Sequence, residues 1–296
     1  MQRKQYALVQ LPVILFPLRN SLQRRYNIPM IKECHGTTIR KKTYMGDRKL
    51  MKAIVDPSCE IIEDWAFANC CCLKEVWMPY TIREVSEKAF LNCAAMEQLY
   101  LYDTGNTTFS PAKTTADPVL LATALKCYPK ETNLLIQHAK TESVFLQYTD
   151  SKLESFLEED DSSGFVPFLA GGEEDYIVDD AAAAFQKKRQ FLKTQLIYER
   201  LLAETRGYTL AEKIKQTCIH WLQSHNPSAA FAFLLTDTIR RDSYLDLYFT
   251  LELNTDVNID VLTALADNVP ELKAKLLRKH LENRPQGITL LSALEI

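Results

Sequence analysis

The 296-residue chain is 47% hydrophobic and 25% charged, an ordinary globular composition with length enough for about two domains. Its eight glycines are under half the usual share of about 7%. They form neither a dinucleotide fingerprint nor a phosphate loop, which removes the signature of most nucleotide-dependent enzyme folds. The net charge of -3 hides an asymmetry: residues 1–52 carry 12 Lys and Arg against 2 Asp and Glu, and the rest 23 against 36, so a basic head of +10 precedes an acidic body of -13.

At the N-terminus, Arg3 and Lys4 precede an apolar run from Tyr6 to Leu18 in the manner of an export signal. Gln10, Pro12 and Pro17 interrupt that run and no small-residue cleavage site follows, so Leu8 to Leu18 reads more easily as a buried strand. Nothing else approaches the roughly 18 to 20 apolar residues of a transmembrane helix. Eight cysteines, three of them consecutive at 70–72, do not make a disulfide framework in a chain of this size. The reading is a reducing, cytoplasmic location, with a cell-surface or secreted one as the alternative. Arg19, Arg24, Arg25, Arg40, Lys41 and Lys42 form the candidate anion-binding set, for nucleic acid or phospholipid. Tyr6, Tyr26 and Tyr44 interleave with these charges, but no recognisable nucleic-acid module surrounds them. Docking on the chain's own acidic surface, or simple solvation, is the plainer account.

The most informative stretch is 53–102, where Ala66-Phe67 and Ala89-Phe90 recur 23 residues apart with matching neighbours. Superposing the phenylalanines pairs Ile62 with Val85, Cys59 with Ile82, Val55 with Met78, Asn69-Cys70 with Asn92-Cys93, Leu73 with Met96 and Val76 with Leu99. Nearly every shared position is apolar. Such a unit is a coil of one short strand and a return loop, whose inward residues are buried only by stacking on the next coil. Cys70 and Cys93 then become small core residues at a tight bend, without redox or metal chemistry.

The run Ile61-Ile62-Glu63-Asp64-Trp65-Ala66-Phe67-Ala68-Asn69-Cys70 and its second copy resemble the BspA-type leucine-rich repeat. The Ala-Phe and Asn-Cys pairs, the Leu or Met three residues after each Cys, and Pro79 before the second turn fall where that pattern puts them. Glu63 and Ser86 stand where the family usually has Gly. Two clear units are present and about three are needed for stability, so residues 30–52 and 97–112 are expected to supply degenerate or capping coils. The resemblance implies a protein-interaction scaffold; it does not imply catalysis. In such a coil the strand face is the usual contact surface, which makes its solvent-directed residues the binding candidates: Lys74, Glu75 and Trp77 in one coil, Gln98, Tyr100 and Tyr102 in the next. Trp77 and Tyr100 align across the repeat. Neighbouring exposed aromatics favour a binding patch, and cover by the following helices is the competing account.

Beyond the repeat, apolar periodicity around Leu120 to Leu125 and Leu134 to Tyr148 predicts helices packed on the solenoid's end. From Glu154 to Asp180 there are ten acids and no Lys or Arg, broken by Gly164, Pro167, Gly171 and Gly172, the pattern of a flexible acidic joint. A long helix follows, with Phe185, Leu192, Leu196 and Ala203 on one face and an end near Gly207. Thr209 and Glu212 predict a capping box before the stripe Leu210, Ile214, Cys218 and Leu222. Further helices are predicted to open at Asn226-Pro227, at Asn258 and at Pro270, the last with Leu272, Leu276 and Leu277 inside. Tyr244 to Leu253 reads as helix from its neighbours. The predicted fold is α+β: a short leucine-rich-repeat solenoid, then an all-α domain of helical hairpins, either a bundle or an α-solenoid. The expected division is 1–112 for the basic segment with the solenoid, 113–153 for a helical connector, 154–180 for the joint and 181–296 for the helical domain.

A search for chemistry finds little. Cys34-His35 and Cys218-Ile219-His220 are the close Cys and His neighbours, and their side chains diverge on a strand or a helix, so neither pair is placed to share a metal ion. The five histidines are scattered, no nucleophile elbow or cysteine-protease signature appears, and acids such as Glu158-Glu159 sit in a charge run with nothing to split their pKa values. The sequence points to a non-enzymatic scaffold or adaptor with no cofactor, no metal and an unnamed protein partner. An anion-binding adaptor is the second reading, and an enzyme with its site between the two halves the third.

Overall fold

The computed structural model describes residues 30–103, 111–112, 115–165, 175–225, 230–231, 234–235, 240–253, 256–267 and 269–282. Arg19, Arg24, Arg25, the apolar run Leu8 to Leu18 and the helix opening at Asn226-Pro227 lie outside the described residues.

The first part is a β-solenoid of about three turns. Strands β1 (Met30–Cys34), β3 (Leu50–Val55), β5 (Glu75–Pro79) and β7 (Gln98–Tyr102) form one parallel sheet in the order β1-β3-β5-β7. The short strands β2 (Thr38–Ile39), β4 (Ile61–Ile62) and β6 (Glu84–Val85) form a second parallel sheet in the order β2-β4-β6. Each 23-residue unit therefore contributes one strand to each sheet, and residues 30–52 supply the degenerate first coil. The superposed residue pairs are spatial neighbours: Ile62 pairs with Val85 and Val76 with Leu99 in register. Their side chains, with Cys59, Ile82, Leu73 and Met96, are all buried.

Stacking explains why the repeat needs its signature residues. Tyr44, Phe67 and Phe90 form a ladder of parallel rings with centroids 5.1 and 5.3 Å apart. The Cys70 thiol donates to the Tyr44 carbonyl at 3.1 Å, and the Cys93 thiol to the Phe67 carbonyl at 3.0 Å. Each cysteine thus satisfies a carbonyl of the preceding coil where a bulkier donor would not fit. Gly46, Asn69 and Asn92 occupy equivalent positions with φ of 74°, 60° and 60°, the left-handed conformation that Gly and Asn adopt most readily. The two asparagines extend the ladder, Asn92 Nδ2 donating to Asn69 Oδ1 at 3.0 Å.

Eight α-helices follow among the described residues: α1 (Pro118–Cys127), α2 (Thr132–His138), α3 (Glu142–Glu158), α4 (Asp175–Thr205), α5 (Glu212–Ser224), α6 (Arg241–Thr250), α7 (Asp256–Leu265) and α8 (Pro270–Glu282). Helix α1 packs along β7 and α2 against β6, so both open sheet edges at this end are covered, as edge strands require. Side-chain hydrogen bonds seal that end. Tyr80 Oη donates to the Lys140 carbonyl at 3.1 Å, Val85 N to Asn133 Oδ1 at 3.0 Å, Gln137 Nε2 to the Arg83 carbonyl at 2.9 Å, and Lys140 Nζ to the Ile82 carbonyl at 2.5 Å. One apolar core runs without interruption from Cys34 in β1 to Leu276 in α8.

Several local expectations change. Leu134 to Tyr148 is two helices, not one, with a break at 139–141. Helices occupy both ends of the acidic stretch 154–180, α3 running to Glu158 and α4 starting at Asp175, while Glu159 and Asp161 pair with Arg189 and Lys193. The Thr209–Glu212 capping box does not form: Ala211 is the N-cap of α5 and no side chain caps it, while the Thr209 carbonyl accepts from buried Arg200. Helix α7 starts two residues ahead of Asn258, whose side chain instead donates to the Leu253 carbonyl. Leu277 is 42% exposed, on the far side of α8 from Leu272 and Leu276. Gly207 does end α4, with φ of 98° and a bond from Tyr208 N to the Ala203 carbonyl at 3.0 Å.

Candidate binding face of the solenoid

The outward side chains of the four-stranded sheet form two rows across the coils. In register, Ile31, Lys52, Glu75 and Gln98 make one row, and Glu33, Ile54, Trp77 and Tyr100 the other. Strand alternation puts these residues outside while Ala53, Val76 and Leu99 go into the core. Trp77 and Tyr100 stack with centroids 4.4 Å apart and rings 20° from parallel, both half-buried, and Ile54 continues the apolar row on the other side. Ile31 is 60% exposed at the sheet's first strand.

Charge frames this apolar row. Lys52 Nζ lies 2.7 Å from Glu75 Oε1 and 5.0 Å from the Trp77 ring centroid, and Trp77 Nε1 also donates to Glu75 Oε1. The indole is thus held by a carboxylate, a cation and a neighbouring ring, which fixes its orientation before any partner arrives. Partial burial, then the charges of Glu75 and Asp117, hold the Tyr100 phenol above its ordinary range, so it is a neutral hydrogen-bond donor. Lys74 precedes β5 and pairs with Glu97 of the next coil at 2.7 Å, at the rim of the face. Of the six predicted binding residues, Glu75, Trp77, Gln98 and Tyr100 sit together on the face.

Tyr102 does not. It is 1% exposed, and its hydroxyl donates to the Val55 carbonyl at 2.5 Å. Alternation alone places it outward, but at the last residue of β7 the side chain lies buried and its hydroxyl reaches back to β3. Sequence reasoning missed Lys52 and Ile54, which belong to a coil too degenerate to align by eye, although they precede Glu75 and Trp77 by the same 23 residues.

The basic head shows a second cluster on the solenoid's ridge. Arg40, Lys41 and Lys42 are exposed. Lys41 Nζ is 4.5 Å and Lys42 Nζ 5.4 Å from the Trp65 ring centroid, and Lys88 Nζ reaches the same ring at 5.6 Å. Lys42, Trp65 and Lys88 are one repeat position in three successive coils, so the indole lies between cations in a ladder. Trp65 and Lys42 both hold left-handed backbone, with φ of 56° and 62°, unusual for bulky side chains.

Other candidate chemistry stays apart. Cys34 is buried, while His35 is exposed and bonds Asp56 at 3.1 Å. Among the described residues no three His, Cys, Asp or Glu side chains gather as metal ligands, and no helix is long and apolar enough to cross a membrane.

The family model for the BspA type leucine rich repeat region, built on six copies, matches residues 37–112. These residues are a BspA-type leucine-rich repeat region. The match reaches beyond the two legible units on both sides, taking in β2 before them and residues 103–112 after. The repeat region is followed by the helical C-terminal region. No curated protein and no solved structure matches the chain.

Proposed function

We propose that the protein is a non-enzymatic scaffold whose leucine-rich-repeat sheet binds a protein partner through Ile54, Trp77 and Tyr100, with Lys52, Glu75, Lys74 and Gln98 around them. Leucine-rich-repeat domains are typically binding scaffolds and usually non-catalytic, which supports this class of function. The observation that carries the reading is the stacked Trp77–Tyr100 pair, half-exposed and oriented by Glu75 and Lys52. Aromatic side chains locked before binding bring large contact area at little entropic cost, the property of interface hot spots. In this proposal residues 1–112 are the recognition unit. The regions 113–153, 154–180 and 181–296 form a helical half that contacts a second partner or another copy, and the protein works in the cytoplasm.

The test is affinity capture from cells that express the protein, comparing wild type with Trp77→Ala/Tyr100→Ala and with Trp65→Ala, each checked for folding by circular dichroism. Selective loss of one captured protein with the Trp77 and Tyr100 double substitution supports the reading. Retention of the same set by the folded double variant sinks it.

A second reading has its own observation: Lys41, Lys42 and Lys88 converge on Trp65, with Arg40 beside them. An anion-binding ridge of this kind predicts affinity for nucleic acid or anionic vesicles that falls steeply with salt. Binding that is absent, or unchanged between low and high salt, excludes it.

A further inference from the structure

Repeat register accounts for Cys70, the partner of Cys93, but not for the two cysteines after it. At the positions of Cys71 and Cys72 the next coil carries Ala94 and Ala95, and the preceding coil Arg48 and Lys49, so the fold does not ask for sulfur at this turn. Cys71 is exposed, Cys72 half-buried, and their Sγ atoms lie 3.8 Å apart. The other cysteines of the repeat, Cys34, Cys59, Cys70 and Cys93, are buried.

That spacing has a chemical meaning. A tetrahedral centre with metal–sulfur bonds of about 2.3 Å sets its two thiolates about 3.8 Å apart, so the pair already holds the bite of one ion. Direct S–S bonding fits less well, because adjacent residues keep their Cα atoms about 3.8 Å apart, short of the roughly 4.4 Å at which disulfides begin.

We propose that Cys71 and Cys72 form a vicinal dithiol site on the solenoid's outer turn that chelates one thiophilic divalent cation of the zinc type. Both thiols lose their protons, two metal–sulfur bonds form, and two protons pass to solvent. Water or a small-molecule thiol fills the remaining coordination positions, since no third protein ligand gathers there among the described residues. Soft thiolate donors favour zinc and its heavier congener cadmium over magnesium or calcium.

The experiment titrates the reduced full chain with Cd2+ under anaerobic conditions, following the thiolate-to-metal charge-transfer absorbance and the protons released. The expected result is saturation at one ion and two protons per chain, with competition by Zn2+. Cys71→Ala/Cys72→Ala copies the alanines of the next coil and is expected to fold as wild type while binding at least tenfold more weakly. Independently of any variant, bound Cd2+ should protect Cys71 and Cys72 from alkylation when peptides of the wild-type protein are mapped. An unchanged absorbance in the double variant, or protection at other cysteines in place of these two, overturns the proposal, as does a wild-type protein that takes up no ion.

Discussion

Single residues in this solenoid carry separate jobs, and the clearest is Asp56. The Ser58 hydroxyl and Ser58 N–H, then His35, hydrogen-bond its charged form and hold the carboxyl at about 2 against an ordinary 3.8. A carboxyl depressed in the folded state contributes stability that is complete above its unfolded value and is lost as pH falls through its folded one. Asp56→Asn should therefore flatten the decline of the urea midpoint between those two values, and an unchanged acid limb would count against the assignment. Tyr102 is the converse lesson. Its alternation in sequence marks it as a contact residue, yet its hydroxyl ties β7 to the end of β3 through the Val55 carbonyl. Tyr102→Phe is expected to cost about 1 kcal/mol by denaturant unfolding while leaving partner capture intact.

At the level of elements, the ladders that join the coils hold the solenoid together. Phe67 stands in the middle of the Tyr44–Phe67–Phe90 stack and is fully buried, so Phe67→Ala should lose about 3 to 5 kcal/mol, and a loss under about 1 kcal/mol would show that the stack is not the core of the coil. These coils were legible because burial recurs at a fixed 23-residue period: Ala-Phe and Asn-Cys occupy sterically narrow positions that few residues satisfy. The first coil was hidden because Tyr44 and Gly46 replace Phe and Asn, equal in shape or backbone conformation but not in letter. Helices α3 to α5 were legible by their stripes, and α4 also by its end at Gly207, but the start of α5 was not. Arg200, fully buried, forks onto Asp150 at 2.6 and 3.0 Å and also takes the Thr209 carbonyl at 2.6 Å. Those tertiary bonds anchor the chain just before α5, and nothing near Thr209 in sequence announces them. Buried Glu199, which accepts from Arg240 at 2.7 Å and from the Tyr244 hydroxyl, is equally silent in a hydrophobic pattern.

On the scale of the whole molecule, the repeat and the helices share one continuous core, and charge ties the helices to one another. Asp117 caps α1, accepting from Val119 N at 3.0 Å and Leu120 N at 2.8 Å, and it also takes Arg206 from the end of α4 at 2.5 and 3.1 Å. Asp117→Asn keeps a capping side chain and loses the charge, whereas Asp117→Ala loses both. Unfolding should rank the alanine variant below the asparagine one by about 1 kcal/mol, and equal midpoints would deny the cap its part. Because α1 and α2 seal one end of the solenoid, the outward sheet face remains as the surface on which Ile54, Trp77 and Tyr100 meet solvent, and of its two rows only Glu75, Trp77, Gln98 and Tyr100 were readable before the coils were stacked. The most direct measurement of the central claim places a photo-crosslinking amino acid at Gln98, or at exposed Val144 on α3 as the reference, in cells that express the protein. The account predicts that one dominant protein is captured from position 98 and not from position 144. Equal capture from both positions, or capture from position 144 alone, would contradict it.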